Sequence, residues 1–295
     1  MKKYTIRDIE KLSGIKAHTI RIWEKRYNIL EPDRTESNIR MYSDDELRRI
    51  LNIAILNNSG VKISHIANLS DDELHQRIIS LKDISGSDET FIDRMIVSMV
   101  EMKEADFSRI LSECIEQKGL IKSVLYVIYP FLEKIGVLWQ TGTINPAQEH
   151  FVSNIIRQKL IVECDKVGLP DQPKATFILF LPVDELHEIG LLFYNYVLRS
   201  RGYGTVYLGQ SVPFDDLEKV VAICPSQYLL TFFVAAVPPE EIELYLHNLH
   251  KAFPKHKVFA GGYQLLTNPD MRLPSNLTVI RRVQDFFADF FREEI

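Results

Sequence analysis

A chain of 295 residues, 46% hydrophobic and 25% charged, has room for two or three cores and the balance of an ordinary globular protein, which excludes a fibrous repeat or a disordered tail. Its net charge of -5 is uneven: residues 1–50 carry 12 Lys and Arg against 9 Asp and Glu, so the positive charge collects at one end. The scattered Cys114, Cys164 and Cys224 lack any C-x-x-C pairing, which excludes a cysteine zinc site and a disulfide framework.

Met1-Lys2-Lys3-Tyr4 runs into an amphipathic pattern, neither signal peptide nor spanning helix, so a cytoplasmic protein with no membrane partner is expected. Thr5 and Asp8 have capping-box spacing, and Ile9 and Leu12 continue an apolar stripe that stops at Gly14. A second short helix follows from Lys16 to Tyr27. Ile20 and Trp23 are expected to lock it onto the first, leaving Lys16, His18, Thr19 and Arg21 to a DNA major groove, or simply as a solvated basic face.

The next residues carry a resemblance. Arg21-x-Trp23-Glu24-x-Arg26-Tyr27, then Pro32-x-Arg34-Thr35 and Arg40-x-Tyr42, resemble the MerR family over about the first seventy residues. That resemblance implies an all-α winged helix-turn-helix, expected over residues 1–75, that binds double-stranded promoter DNA. It also implies that Arg34 to Tyr42 form a wing whose Arg40 and Tyr42, with Arg26, grip the phosphate backbone. Asn28 and Asn38 stand where the family has Gly, and Asn is the residue that best tolerates the positive φ such turns need. Further helices start at the capping boxes Ser43 to Glu46 and Ser70 to Glu73, with a short one near Ile63 to Ala67. The long dimerising coiled coil of many metal-sensing relatives is missing, and Ile84-Ser85-Gly86-Ser87 reads as a linker.

Residues 88–168 read as a bundle of four helices with breaks at Gly119, Pro130 and Gly142 to Pro146. By composition this is a spacer or dimerisation element. Trp139 is followed, after nine intervening residues, by Glu149-His150, which resembles the helical cap of cobalamin-binding MerR regulators of the CarH/LitR kind. The resemblance implies that these three residues cover the upper face of adenosylcobalamin.

From residue 173 to 295, apolar runs at Ala175 to Leu181, Gly204 to Leu208, Tyr228 to Val234, Lys257 to Ala260 and Leu277 to Ile280 alternate with helical patterns. Five such strands predict a parallel, doubly wound α/β sheet of flavodoxin (Rossmann-like) type, with ligands at the strands' carboxyl ends. Absence of G-x-G-x-x-G and of a Walker lysine argues against nicotinamide and ATP, and the acidic cluster of a phosphoacceptor receiver is missing. Glu185-x-His187-x-x-Gly190, on the loop after the first of these strands, resembles the cobalamin-binding loop of methionine synthase-like and mutase-like domains. By that resemblance His187 is the metal ligand, coordinating cobalt, and Glu185 fixes its tautomer. Ser211 and Val212 follow the second strand. Gly261 and Gly262 would let a planar group approach the backbone and line the slot for the nucleotide tail. Thr231, about forty residues past Gly190, stands where such domains carry Ser, but Phe233 replaces a Leu and is expected to narrow the slot.

Together these features predict a three-part, non-enzymatic, cobalamin-responsive transcription factor. It is expected to be a repressor whose assembly as a homo-oligomer, dimer or tetramer, responds to adenosylcobalamin and light. Gln140, following Trp139 where some relatives place a second cobalt-ligating His, weakens the expectation of a stable bis-His photoproduct. Two other readings stay open: a cofactor-free regulator answering to a partner protein, and a corrinoid methyl-transfer module.

Overall fold

The structure, a computed structural model, describes residues 3–35, 38–58, 60–80, 87–140, 144–283 and 286; the side chains of 75, 76, 78–80 and 137–140 lie outside that description. The chain divides into two compact units, Met1–Ile156 and Arg157–Ile295. No described helix is long and apolar enough to cross a membrane.

The first unit opens with strand β1 (Tyr4–Thr5) and helix α1 (Ile6–Ser13), whose Thr5–Asp8 capping box forms as the spacing predicts. Gly14 closes α1 with φ 72°, and Lys16 caps helix α2 (Ala17–Tyr27). Asn28 and Asn38 adopt φ of 51° and 62°, so both take the left-handed geometry expected of them. Ile20 is fully buried, whereas Trp23 is only half-buried, a weaker lock than the pattern suggested.

Strands β2 (Asp33–Arg34) and β3 (Arg40–Tyr42) form the wing, and β3 also pairs with β1, giving an antiparallel order β1-β3-β2. The head is therefore not all-helical: Tyr4–Thr5 is too short a strand to leave a periodic signal. Helix α3 (Asp44–Asn58) starts at the predicted Ser43–Glu46 box and buries Leu47, Ile50, Leu51 and Ala54. Each fully buried Leu or Ile contributes roughly 1.5–3 kcal/mol, so α3 is the spine of the head. Helices α4 (Ile63–Ile66) and α5 (Asp71–Ser80) follow. Of the predicted linker, residues 84–86 lie outside the description, and Ser87 caps the next helix.

That helix, α6 (Asp88–Val100), packs on α3, which places it in the same compact unit as the head. Helix α7 (Glu104–Lys118) follows a break at Glu101–Lys103, where Met102 takes φ 54°; sequence periodicity did not signal it. The break predicted at Pro130 does not occur. The chain stays helical from α8 (Leu120–Ser123) through a π-turn at Val124–Ile128 into α9 (Tyr129–Gln140), and the wider turn accommodates the ring and missing N–H of Pro130. Helix α10 (Pro146–Val167) starts at a box in which Asn145 Oδ1 accepts from Gln148 N and Gln148 Oε1 accepts from Asn145 N. The division between the two units falls inside α10.

The second unit is a five-stranded parallel sheet: β4 (Thr176–Pro182), β5 (Gly204–Val212), β6 (Tyr228–Phe232), β7 (Lys257–Gly261) and β8 (Leu277–Val279), in the order β5-β4-β6-β7-β8. This is the doubly wound arrangement predicted from the apolar runs. Helices α11 (Ile189–Ser200), α12 (Phe214–Ile223), α13 (Pro239–Ala252) and α14 (Tyr263–Thr267) connect the strands. β4 is an interior strand, paired with β5 on one side and β6 on the other, and is buried along almost its whole length, so the loop after it emerges inside the sheet, beside the point where connections diverge to either side.

Candidate functional site

The loop between β4 and α11 carries Glu185, His187 and, in the first turn of α11, Gly190. Glu185 is its hub. One carboxylate oxygen accepts from His187 N at 3.0 Å and lies 2.6 Å from His187 Nδ1; the other accepts from Val234 N at 2.7 Å and Ala235 N at 2.8 Å. Burial alone would raise the Glu185 carboxyl. The His187 ring and the backbone N–H groups of Ala235, His187 and Val234 outweigh it and bring the group down to about 2. An ionised Glu185 assigns the imidazole proton to Nδ1, which leaves the lone pair of the neutral ring on Nε2. The His187 side chain is 59% exposed against 6% for Glu185, so a buried anion orients a largely exposed imidazole.

The loop is held from the other side by the irregular end of β5. Ser211 Oγ accepts from Asp184 N at 3.2 Å, and Gln210 Nε2 donates to Leu186 O at 2.5 Å. Asp184 and Ser211 both sit at positive φ, 66° and 51°, so the backbone is strained on both sides of this contact. Val212 pairs with Pro182 at the same edge, while Val183 and Leu186 present exposed apolar surface beside the imidazole. Next in the chain, the buried Glu188 accepts from Tyr207 Oη at 2.8 Å and from Arg157 Nε on α10. Burial and then the bond to Glu188 push the Tyr207 hydroxyl well above the usual phenol range. Gln210 lies, as expected, with Ser211 and Val212 at the end of the second strand, whereas Glu188, Tyr207 and Arg157 were not anticipated: a carboxylate after a loop His looks like any surface acid until its burial is known.

The ends of β6 and β7 differ from the expectation. A Cβ on Gly261 would come within 2.5 Å of the Phe232 ring, and a Cβ on Gly190 within 3.7 Å of it. Gly262 has φ 105°, and a Cβ there would meet the backbone of Phe233 at 2.3 Å. Glycine at 261 and 262 is thus required, by the Phe232 ring and by the Phe233 backbone with the positive φ, whereas Gly190 is only in ordinary contact with Phe232; over Gly261 the space expected for a planar group holds the Phe232 ring. The narrowing residue is Phe232 rather than Phe233, which packs against Tyr245 of α13. Side chains alternate along β6, so Thr231 shares the face of Leu229 and points away from Gly190. Its fully buried Oγ1 has no hydrogen-bond partner among the described residues.

In the first unit, His150 is 72% exposed and its Nδ1 lies 3.1 Å from the half-buried Glu149 carboxylate. Trp139 and Gln140 lie on α9 with side chains outside the description. On α2, His18, Arg21, Ile22 and Lys25 are exposed and share one face by their three- and four-residue spacing. Ile22, 55% exposed, is an apolar member of that face that the charge pattern did not single out. Lys16 pairs with Glu10 at 3.2 Å, Thr19 is half-buried with its hydroxyl 3.3 Å from His18 Nε2, and Arg26 stacks over Tyr27 at 5.3 Å. Arg34 and Thr35 are exposed on the wing. Tyr42 corrects the expectation: it is fully buried and its hydroxyl donates to Glu24, as does Arg40 Nε at 3.0 Å. Tyr42 is a strut between wing and helix, not a surface group reaching a phosphate.

A winged head with an exposed basic helix, joined to a parallel sheet whose first loop presents a carboxylate-held imidazole, defines a DNA-binding regulator with a ligand domain. Residues 4–73 match the MerR HTH family regulatory proteins, and residues 91–162 match the B12 binding domain. The chain is 30% identical over 269 residues to the HTH-type transcriptional repressor CarH of Myxococcus xanthus, covering 88% of this chain and 89% of that relative. It is also 26% identical over 261 residues to the repressor CarA of the same organism, covering 87% and 85%. The chain belongs to this family of MerR-type regulators with a cobalamin-binding region. Among solved structures, the monomethylamine corrinoid protein of Methanosarcina barkeri shares the fold, with TM-score 0.53 at 13% identity over 64% of this chain and 92% of that one.

Proposed function

We propose that this chain is a transcriptional repressor that binds promoter DNA through α2 and the wing and takes adenosylcobalamin at the loop of Glu185, His187 and Gly190. The observation that carries the reading is the Glu185–His187 pair: an ionised, fourfold hydrogen-bonded carboxylate that fixes one imidazole tautomer at the carboxyl end of the interior strand β4. His187 Nε2 is the cobalt ligand in this assignment, Glu185 its positioning residue, and Ser211 and Val212 the support of the loop. When bound, the group would supply a cobalt centre for His187 to hold and, in its adenosyl form, a light-labile cobalt–carbon bond.

For further corrinoid contacts, the family resemblance assigns Trp139, Glu149 and His150 on the four-helix segment of residues 88–168. DNA contacts are assigned to Lys16, His18, Thr19, Arg21, Arg26, Tyr27, Arg34, Thr35 and Arg40. Light is the proposed input and oligomeric state, dimer or tetramer, the output, because the number of heads engaged at once sets the avidity for an operator.

Reconstitution tests this. Purified chain mixed with adenosylcobalamin in the dark is expected to acquire the absorbance of histidine-ligated corrinoid, and His187→Ala is expected to lose it. Illumination followed by size-exclusion chromatography is expected to move the elution volume. A wild-type chain that stays colourless through gel filtration defeats the corrinoid assignment, and an elution volume indifferent to light defeats the photoreceptor part alone.

A further inference from the structure

We propose that this chain gives no seat to the nucleotide tail of a corrinoid, and that Phe232 thereby makes it indifferent to the lower base, accepting corrinoids that lack one. This deepens the reading above and rests on it. An imidazole that takes the lower axial position of cobalt displaces the base that cobalamin carries on its own nucleotide loop. The tether is short, so a seat for the displaced base must lie close to His187.

Two glycines near the loop offer depth for such a seat: Gly190, three residues past His187 in the first turn of α11, and Gly261, at the end of β7. The Phe232 ring stands in the volume that Gly261 leaves, meeting the place of its Cβ at 2.5 Å, and lies at ordinary packing distance, 3.7 Å, from the place of a Gly190 Cβ. It is 7% exposed and is no loose lid. Its centroid lies 5.3 Å from that of Tyr194 on α11, which in turn meets Phe193 at 5.4 Å and Phe286 at 5.0 Å edge-on. Displacing the Phe232 ring would disturb this packed set, because close-packed aromatic rings have no neighbouring void to enter. A planar base and the Phe232 ring compete for one space, and the ring is built in. The cobalt ligand and its orienting carboxylate are untouched by this, since Glu185 and His187 lie on the loop above.

The test is a pair of titrations on the full chain in the dark, followed by absorbance: adenosylcobalamin, and adenosylcobinamide, which lacks the nucleotide base. Wild-type Kd values within about threefold of each other are expected, together with a tenfold or greater gain for adenosylcobalamin in Phe232→Ser and none for adenosylcobinamide. Because truncating a buried ring can unfold the sheet, Phe232→Leu serves as the milder variant, with a smaller gain of the same sign and its fold checked by circular dichroism. A wild type that prefers adenosylcobalamin tenfold or more overturns the proposal while leaving the corrinoid reading intact. A folded Phe232→Leu with unchanged affinity for both overturns the role of Phe232. If neither compound gives a His187-dependent spectrum, the corrinoid reading itself falls and this inference falls with it.

Discussion

Tyr42 and Glu24 join the wing to α2: a fully buried tyrosine hydroxyl donates into a carboxylate whose side chain is 9% exposed and which also accepts from Arg40 Nε at 3.0 Å. The family motif places Glu24 two residues before Arg26, and the structure gives that Glu a mechanical reason. It fixes the distance between the two surfaces that must reach DNA together.

Glu24→Ala is therefore expected to destabilise the head by about 1–3 kcal/mol, because it leaves the buried Tyr42 hydroxyl without its partner. Operator affinity should fall with unchanged sequence preference, since no base-reading side chain is removed. Urea denaturation and competition binding with a mismatched operator check the two parts. Tyr42→Phe removes the donor while keeping the ring and should cost less. A Tyr42→Phe variant with normal stability but a reduced salt slope would return Tyr42 to the phosphate-contacting role.

Glu185→Ala is expected to lose on the order of 3 kcal/mol of stability in the sheet unit, because the backbone N–H groups of Val234 and Ala235 lose their shared acceptor. It should also weaken corrinoid binding by about 10–100-fold, the range for losing a group that orients a metal-ligating imidazole. Glu185→Gln separates the effects. Its amide oxygen still accepts from the backbone, restoring part of the stability, but without a carboxylate the tautomer preference at His187 is lost. Denaturation midpoints and titrations by absorbance report them separately.

The thiols give a pH-dependent prediction. Burial pushes Cys164 up to about 11 and raises Cys114 as well, while Cys224 is only half-buried. A raised thiol holds its proton more tightly in the folded state, so at pH 8 about one part in a thousand of Cys164 is thiolate. Reaction with a thiol-specific disulfide reagent at pH 8 should label Cys224 first, and Cys114 and Cys164 only after unfolding. Reactivity of Cys164 in the folded chain should grow as pH climbs towards 11. Labelling of all three at one rate in the native state would contradict the burial.

Much of this architecture is legible in the sequence because its signals are local. Capping boxes at Thr5, Ser43 and Ser70 depend on three-residue spacing alone, and the strands of the parallel sheet read as apolar runs because both faces are covered. Asn28 and Asn38 are legible for the same reason, as residues that tolerate positive φ. What the sequence hides is which face a side chain takes when the chain leaves a regular element. Thr231 and Phe232 are adjacent, and a one-residue slip in assigning them swaps the sheet faces and with them the residue that meets Gly190 and Gly261. The burial of Glu188 depends on Tyr207 and Arg157, both distant in sequence, and the continuity of the helix through Pro130 depends on a π-turn that leaves no periodic mark.

The division of labour on the head can be separated by salt. Arg21 lies on the exposed face of α2 with His18, Ile22 and Lys25, the face expected to meet base edges, whereas Arg26, stacked on Tyr27 at 5.3 Å, lies at the helix end, where the family resemblance expects a phosphate contact. Arg26→Ala should weaken binding about equally for operator and random DNA, lowering the slope of log affinity against log salt by about one, because one phosphate contact is lost. Arg21→Ala should cost about 1–3 kcal/mol on the operator and much less on random DNA, narrowing the ratio between them. Fluorescence anisotropy with both DNAs across a salt series measures these quantities. If Arg21→Ala lowers both affinities in parallel, Arg21 is a phosphate contact, and base reading must fall to His18, Thr19 and the apolar Ile22 beside a thymine methyl.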